Sequence, residues 1–193
     1  MSAEFDIAAA KAELRSAIRA ARRGLSEEVR RESAAAVARK LLLLDGVVNA
    51  QIVLAYNPMR YELDITPAVR ELIKRGVRVA YPLCIEEGGL RLFVPRGEGA
   101  FRTGAYGISE PDPELCDEVF PGELGAIILP AVGFDPQCRR LGQGGGYYDR
   151  LLAKASCFTA AVGFDCQLVP SVPCEPTDKT VDVVVTPGGI LSV

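Results

Sequence analysis

The chain predicts an α/β fold, a three-layer α/β/α arrangement with a largely parallel central sheet. Three observations carry that prediction. Short apolar, β-branched runs alternate with helical periods from about residue 50 onward, the order expected of strands joined by crossover helices. Gly125 to Val132 is almost wholly apolar, as befits a central strand buried on both faces. No internal repeat, low-complexity linker or composition break divides the 193 residues. One domain over 1–193 is therefore expected, with an N-terminal helical pair over about 5–45 and an α/β core over about 50–193.

The elements follow in order. Phe5 to Leu25 predicts a helix, with Leu14, Ile18, Ala21 and Leu25 on one apolar face and a basic stripe of Lys11, Arg15, Arg19 and Arg22 beside it. Ser26 before Glu27 and Glu28 caps a second helix running toward Leu44, and Asp45-Gly46 marks its end. Gln51–Tyr56, Val77–Tyr81 and Leu90–Val94 predict strands, the last with alternating side chains. Ile65–Arg75 predicts a helix that Gly76 stops. Gly97 to Glu118, rich in Gly, Pro and acids, reads mostly as loop. Thr159–Phe164 and Val181–Thr186 complete the strands.

Composition removes several function classes. A net charge of −3 argues against nucleic-acid binding driven by bulk electrostatics. No apolar run approaches the roughly 18 residues of a membrane span, and the N-terminus lacks a signal-peptide core, so a cytoplasmic protein with no membrane partner is expected. The six cysteines have no C-x-x-C spacing and read as free thiols. There is no histidine, which excludes Ser-His-Asp and Cys-His machinery in their usual forms. Proton transfer falls to carboxylates, lysine, tyrosine or water, and chemistry based on positioning and a metal ion gains weight.

The most informative segment is Leu141 to Arg150, L-G-Q-G-G-G-Y-Y-D-R, set between the apolar strand and a helix predicted over Tyr147–Ala155. Glycines there let the backbone approach a ligand, and a helix start offers unpaired N–H groups, a combination suited to phosphate. Asp149 adds an oxygen ligand of the kind Mg²⁺ prefers. The plainer reading is a tight strand-to-helix turn with no ligand. Neither a Walker A loop nor a G-x-G-x-x-G fingerprint is present. In a parallel sheet, ligands bind beyond the carboxyl ends of strands, and Tyr56–Glu62, the glycine loop and Thr186-Pro187 all fall there. The basic stripe of the first helix is either a solvated face or an arm for phosphate. Asp64 suits a helix cap, which leaves Glu62 as the better ligand contact. Asp178 and Asp182 serve either as turn formers or, with Asp149, as part of a Mg²⁺ site.

The ordered set of these segments resembles the 5-formyltetrahydrofolate cyclo-ligase (5,10-methenyltetrahydrofolate synthetase) family over nearly the whole length. It comprises Lys11-Ala12-Glu13-Leu14-Arg15, Tyr56-x-Pro58 with Glu62 and Asp64, Gly107-Ile108-x-Glu110-Pro111, Leu129 to Asp135, Arg140 to Arg150, Pro173-x-Glu175-Pro176-x-Asp178, and Val181 to Pro187. The G-Y-Y-D-R ending is the most specific piece. The resemblance implies a fold of the sugar-phosphate isomerase/CoA-transferase type and an ATP- and Mg²⁺-dependent ring closure. In it the formyl oxygen of 5-formyltetrahydrofolate takes the γ-phosphoryl group, N10 attacks the activated carbon, and 5,10-methenyltetrahydrofolate, ADP and phosphate leave. By position it implies ATP contacts from Lys11, Arg15, Arg140, Leu141, Gly142, Gln143, Gly144, Gly145, Gly146, Tyr147 and Tyr148. It implies folate contacts from Met59, Glu62, Gly144, Tyr147 and Tyr148, and Mg²⁺ ligands Asp149 and Asp178. Arg140 and Tyr148 become supports of the transition state. The expected partners are the reduced folate and MgATP, acting on a monomer, with an oligomer left open.

Two positions depart from the family pattern. Gly145 stands where many relatives carry lysine, so either amides, Arg139, Arg140 or Mg²⁺ supply the missing charge or turnover is slower. Thr177 stands where histidine is common. Two other readings remain open from the residues: an isomerase- or CoA-transferase-like enzyme of the same fold, and a non-catalytic folate- or nucleotide-binding module.

Overall fold

Side-chain caps set the first two helices. In the computed structural model, which describes residues 6–193 except 86, 87, 98, 105, 106 and 108, α1 (Ile7–Arg23) starts where the Asp6 carboxylate accepts from the Ala9 amide at 3.1 Å. Phe5 and Ile108 of the expected motifs lie outside the described residues. The Ser26 hydroxyl accepts from the Val29 amide at 3.2 Å and opens α2 (Glu27–Leu41), with Glu27 and Glu28 in the first turn, where acids meet the positive helix end. Helix α2 ends at Leu41, short of the Asp45-Gly46 pair expected to mark its end, and that pair instead begins a further turn, α3 (Asp45–Val48). Gly46 serves close packing there: a Cβ would fall 2.4 Å from the Phe158 ring.

The remaining elements are β1 (Ile52–Leu54), α4 (Thr66–Lys74), β2 (Arg78–Cys84), β3 (Leu90–Pro95), β4 (Phe101–Thr103), β5 (Ser109–Pro111), β6 (Cys116–Val119), β7 (Ala126–Pro130), β8 (Gly133–Phe134), β9 (Arg140–Leu141), α5 (Tyr147–Leu152), β10 (Phe158–Val162), β11 (Val183–Val185) and β12 (Ile190–Ser192). Eight of the strands form one sheet in the order β12-β11-β10-β7-β1-β2-β3-β6. The five from β11 to β2 run parallel, and β12 and β3 pair antiparallel at either side. The parallel strands match the predicted ones to within a few residues, and the sheet is largely parallel as expected.

Alternation along these strands feeds two cores. Val53, Ala126, Ile128, Ala160 and Val183 pack with α2, α3 and α4 on one face. Leu54, Ile127, Leu129, Ala161 and Val184 face the other way, toward Leu151 of α5, Phe134 and Cys138. The second layer therefore holds one short helix and irregular chain. Helix α1 belongs to neither layer. Its Ile18 packs with Val132, Leu141 and Val172 across the carboxyl edge of the sheet. Gly133 admits it, since a Cβ there would stand 2.5 Å from the Ile18 side chain.

Three readings of the sequence need correction. The segment 97–118 is not mostly loop, because it holds β4, β5 and the edge strand β6. Its acids look loop-like, yet on an edge strand they can pair outward, as Glu118 does with Arg91 at 2.7 and 2.8 Å. Burial does not alternate along β3: Leu92, Phe93 and Val94 are all buried, because Leu92 and Val94 enter one core and Phe93 a small cluster on the other side. Helix α5 ends at Leu152 rather than Ala155.

Strand β1 leads through α4 to β2 on one side, while β7 pairs on its other side. The loops leaving β1 and β7 diverge at this reversal, which is where an open parallel sheet makes its crevice. Among the described residues no helix is long and apolar enough to cross a membrane.

Packing predicts the stability ranking. Leu54→Ala, at a wholly buried site in β1, should cost about 3 kcal/mol, and loss of the exposed Ser26 cap in Ser26→Ala about 1 kcal/mol. Urea denaturation checks the order, and a cap variant as damaging as the core variant would overturn it.

Candidate active site

The loop after β1 is held shut by its own side chains. The buried Tyr56 hydroxyl donates to the Leu63 carbonyl at 2.7 Å. Glu62 accepts from the Met59 amide at 3.0 Å while its own amide returns to the Met59 carbonyl at 2.9 Å. Asp64 is not the N-cap of α4, which is Ile65, but one residue earlier it accepts from the Thr66 amide at 2.8 Å and so serves the helix start. Tyr61 sits at φ 78°, an uncommon conformation for a non-glycine residue, with the guanidinium carbons of Arg30 and Arg60 each 4.9 Å from its ring centre.

After β7 the chain makes the β8–β9 ribbon, whose turn is organised by Asp135. This wholly buried carboxylate accepts from the Gln137, Arg139 and Val172 amides and from Arg139 Nε at 2.7 Å. Arg139 is thereby committed to the turn, and it does not replace the charge missing at Gly145. The glycine loop follows, with Gly144 at φ 110° and Gly146 at φ 67°. The amides of residues 143–146 donate to no backbone acceptor among the described residues. Helix α5 has six residues, too few to sum a strong macrodipole. An anion at this loop would therefore meet free amides and neighbouring arginines more than a helix dipole. At Gly145 a Cβ would lie 2.7 Å from the Tyr147 ring, so the ring occupies the space a side chain would enter.

Helix α1 turns its basic stripe inward. Lys11, Ile18 and Arg22 are its buried residues, whereas Ala21, expected on the apolar face, is exposed. The Lys11 ammonium donates to Glu175 and Asp178 at 2.6 Å each. Arg15 Nε donates to the Gly142 carbonyl at 2.9 Å, and Arg19 donates to Gln143. Gln143 in turn donates to Glu62 at 3.4 Å, which joins the two loops. Burial alone would lower the Lys11 amine and raise the Asp178 carboxyl. Their mutual hydrogen bond, with Glu175 on one side and the Glu175 amide on the other, reverses both: Lys11 lies above its ordinary value and Asp178 below.

Arg140 is the buried charge beneath the loop. It donates to Asp149 Oδ1 at 2.6 Å, and the Lys179 amide donates to the same oxygen at 3.2 Å. Arg140 Nε has no acceptor. Burial lowers this guanidinium, opposed by the charges of Asp149, Tyr148 and Asp178. The Tyr148 hydroxyl is pushed far up by desolvation and then by Glu62, so it stays a proton donor at neutral pH. Asp149 Oδ2 and Asp178 Oδ1 accept no hydrogen bond among the described residues, which leaves one oxygen on each for a hard cation. No group of three or more acids, cysteines or histidines is arranged for a metal among the described residues. The donor set thus fits a Mg²⁺ ion that draws its other ligands from phosphate and water, as that ion commonly does.

Asp182 does not join this set. At the opposite end of the sheet its carboxylate accepts from the Thr159 amide and hydroxyl, both at 2.7 Å. Thr186 turns the chain into β12, its amide donating to the Gly189 carbonyl at 2.9 Å, and makes no bond to either loop. Met59, Glu62 and the glycine loop do come together, as do Lys11, Asp178, Arg140 and Asp149. Arg19 and Arg22 enter as members of the expected basic stripe, whereas Glu175, Arg30, Arg60 and Tyr61 are neighbours to which the sequence assigns no site role. The expected stripe of Lys11, Arg15, Arg19 and Arg22 names Arg22 but does not show that it is buried. Beside these loops lies a cleft of about 280 Å³ lined by Arg19, Arg22, Arg23, Met59, Arg60, Tyr61 and Gln143.

A parallel α/β sheet with a basic, glycine-rich crevice at its strand reversal defines a ligand-handling α/β protein. Residues 7–187 match the 5-formyltetrahydrofolate cyclo-ligase family, and the chain belongs to that family of folate ligases. It is 33% identical to the 5-formyltetrahydrofolate cyclo-ligase of Escherichia coli K12 over 178 residues, covering 90% of this chain and 98% of that one. It is also 33% identical to the namesake from Mycolicibacterium smegmatis over 185 residues, covering 92% and 93%. The solution structure of Aquifex aeolicus 5,10-methenyltetrahydrofolate synthetase superposes with a TM-score of 0.84 at 32% identity, covering 94% of this chain and 92% of that one.

The Lys11–Asp178 pair carries a pH signature. A carboxyl held below its ordinary value contributes stability above the unfolded pKa of 3.8, and that contribution is lost as pH falls through its lower folded value. Lys11 contributes below 10.5, and its part is lost as pH rises through its higher folded value. Asp178→Asn should flatten the fall in urea stability below about pH 4. An acid limb unchanged from wild type would remove the pair as a stabilising contact.

Proposed function

We propose that the chain, acting as one domain over residues 1–193, closes 5-formyltetrahydrofolate to 5,10-methenyltetrahydrofolate at the expense of MgATP. The observation that carries this reading is the meeting of a free-amide glycine loop with Arg15, Arg140, Lys11 and two half-free carboxylates, next to the Met59–Glu62 loop. Phosphoryl transfer needs alignment and charge neutralisation more than a protein nucleophile, and a histidine-free site provides the former.

In this reading the amides of 142–146, with Lys11, Arg15 and Arg140, bind the triphosphate, and Leu141 to Tyr148 form the nucleotide wall. Met59, Glu62, Gly144, Tyr147 and Tyr148 bind the folate. Asp149 and Asp178 would hold Mg²⁺, which neutralises phosphate charge when bound. The formyl oxygen displaces ADP from the γ-phosphorus, giving an O-phosphorylated formyl group whose carbon is activated toward attack. N10 then bonds to that carbon, the C–O bond breaks, phosphate leaves and N10 loses its proton. Arg140 and the protonated Tyr148 face the charge that moves between these oxygens, and their fixed dipoles need little rearrangement.

Absorbance of the methenyl product, followed with purified protein and 5-formyltetrahydrofolate, should rise only when MgATP is present. No ATP-dependent product would reject the reading. An Arg15→Gln variant should raise KM for MgATP about tenfold, the worth of one hydrogen bond from a charged donor, and leave KM for the folate unchanged. A shift confined to the folate would reassign Arg15.

A further inference from the structure

The cleft beside α1 contains charge that the proposed reaction does not use. Of its four arginines Arg22 is the most informative, because it is only 7% exposed. Its Nε has no acceptor, and no other atom of the guanidinium makes a hydrogen bond to a described residue. Arginine does not lose its proton in proteins, so a buried, unpaired guanidinium is costly unless an anion joins it. The acid whose charge acts on it most is Glu62, opposed by the like charge of Arg19. Both Glu62 oxygens are already taken, by the Met59 amide and by Gln143.

The surroundings of Arg22 are built rather than incidental. Arg30 donates to the Arg22 carbonyl at 2.6 Å and to the Leu25 carbonyl at 3.1 Å, which fixes the end of α1. The same Arg30 lies over Tyr61, the left-handed residue that forms the facing wall. Arg60 covers that ring as well and brings its charge to the rim.

The identity of the anion follows from spacing. Lys11 and Arg22 lie eleven residues apart on one helix, about 16 Å at 1.5 Å per residue. With the triphosphate at the Lys11 and glycine-loop end, the anion at Arg22 belongs to the other reactant. A reduced folate carries its negative charge on the carboxylates of its glutamyl group, at the end remote from the formyl nitrogen. Met59 lines the same cleft, so a ligand entering past Met59 leads its tail there. We infer that this cleft is the carboxylate subsite for the glutamyl end of the folate, anchored by Arg22 and rimmed by Arg19 and Arg60. The inference rests on the function proposed above.

The test compares 5-formyltetrahydrofolate with 5-formyltetrahydropteroyl methylamide, which keeps the ring and benzoyl amide but has no carboxylate. For the wild-type protein, KM should rise roughly 10- to 100-fold on removal of the glutamyl group, with KM for MgATP unmoved. Arg22→Met should raise KM for the parent folate by a similar factor and no longer discriminate between the two compounds. Arg60→Gln, at an exposed position, gives the same pattern with a smaller shift and serves if Arg22→Met does not fold. Equal handling of both compounds by the wild-type protein overturns the inference, and a variant that weakens MgATP instead makes the cleft a phosphate site. If no folate is turned over, the proposed function falls, and calorimetry decides the subsite. Preferential binding of the carboxylate form keeps it; equal or absent binding overturns it.

Discussion

A buried ammonium or guanidinium without an acceptor is costly, and that constraint organises the carboxyl end of this sheet. Helix α1 presents Lys11, Arg15, Ile18 and Arg22 inward, a face whose apolar contacts are Ile18 and the flanking, partly buried Leu14. Hydrophobic burial alone would not seat such a helix. Lys11 reaches Glu175 and Asp178, 164 and 167 residues away in the chain, and Arg15 reaches Gly142, 127 residues away. The first helix and the two distant loops are therefore fixed by the same bonds, and the site is complete only when α1 is docked.

The charges beneath the glycine loop act on geometry more than on stability. Taking Arg140 and Asp149 out of water offsets much of their attraction, so such a pair adds little net free energy. Its effect is to aim Asp149, with one oxygen occupied and the other free. Because α5 is short, an anion at the loop would be met by free amides on left-handed glycine backbone and by arginines converging from α1 and β9, more than by a helix dipole. The Arg140 Nε and Arg22 Nε atoms without acceptors mark the two ends of that basic surface.

Much of this was legible in the sequence. Continuous apolar runs betrayed the parallel strands, because a strand covered on both faces has little choice of residue. Ser26 showed its cap, and Asp64 its bond at the start of α4, through chemistry local to a few residues. The glycine loop, Glu62, Lys11 and Asp178 were visible as motifs in one ordered family pattern. What stayed hidden depends on contacts far along the chain. The inward turn of the α1 stripe could not be read from periodicity, since a basic face looks solvated until Glu175 and Asp178 are brought to it. Asp182 resembled Asp178 by composition, and only the sheet shows that they occupy opposite ends. The acids of β6 disguised an edge strand as loop.

The separation of α1 from the two main cores has a dynamic consequence. Its apolar anchorage is the small cluster around Ile18, whereas the strands share the large cores on either side of the sheet. Segments with little buried apolar contact open at lower free energy than the whole molecule unfolds. The amides of α1 belong to such a segment, able to exchange with solvent while the β-sheet remains intact. Any ligand that bridges this helix to the strand ends must slow that exchange, which makes the N-terminal segment a built-in reporter of occupancy.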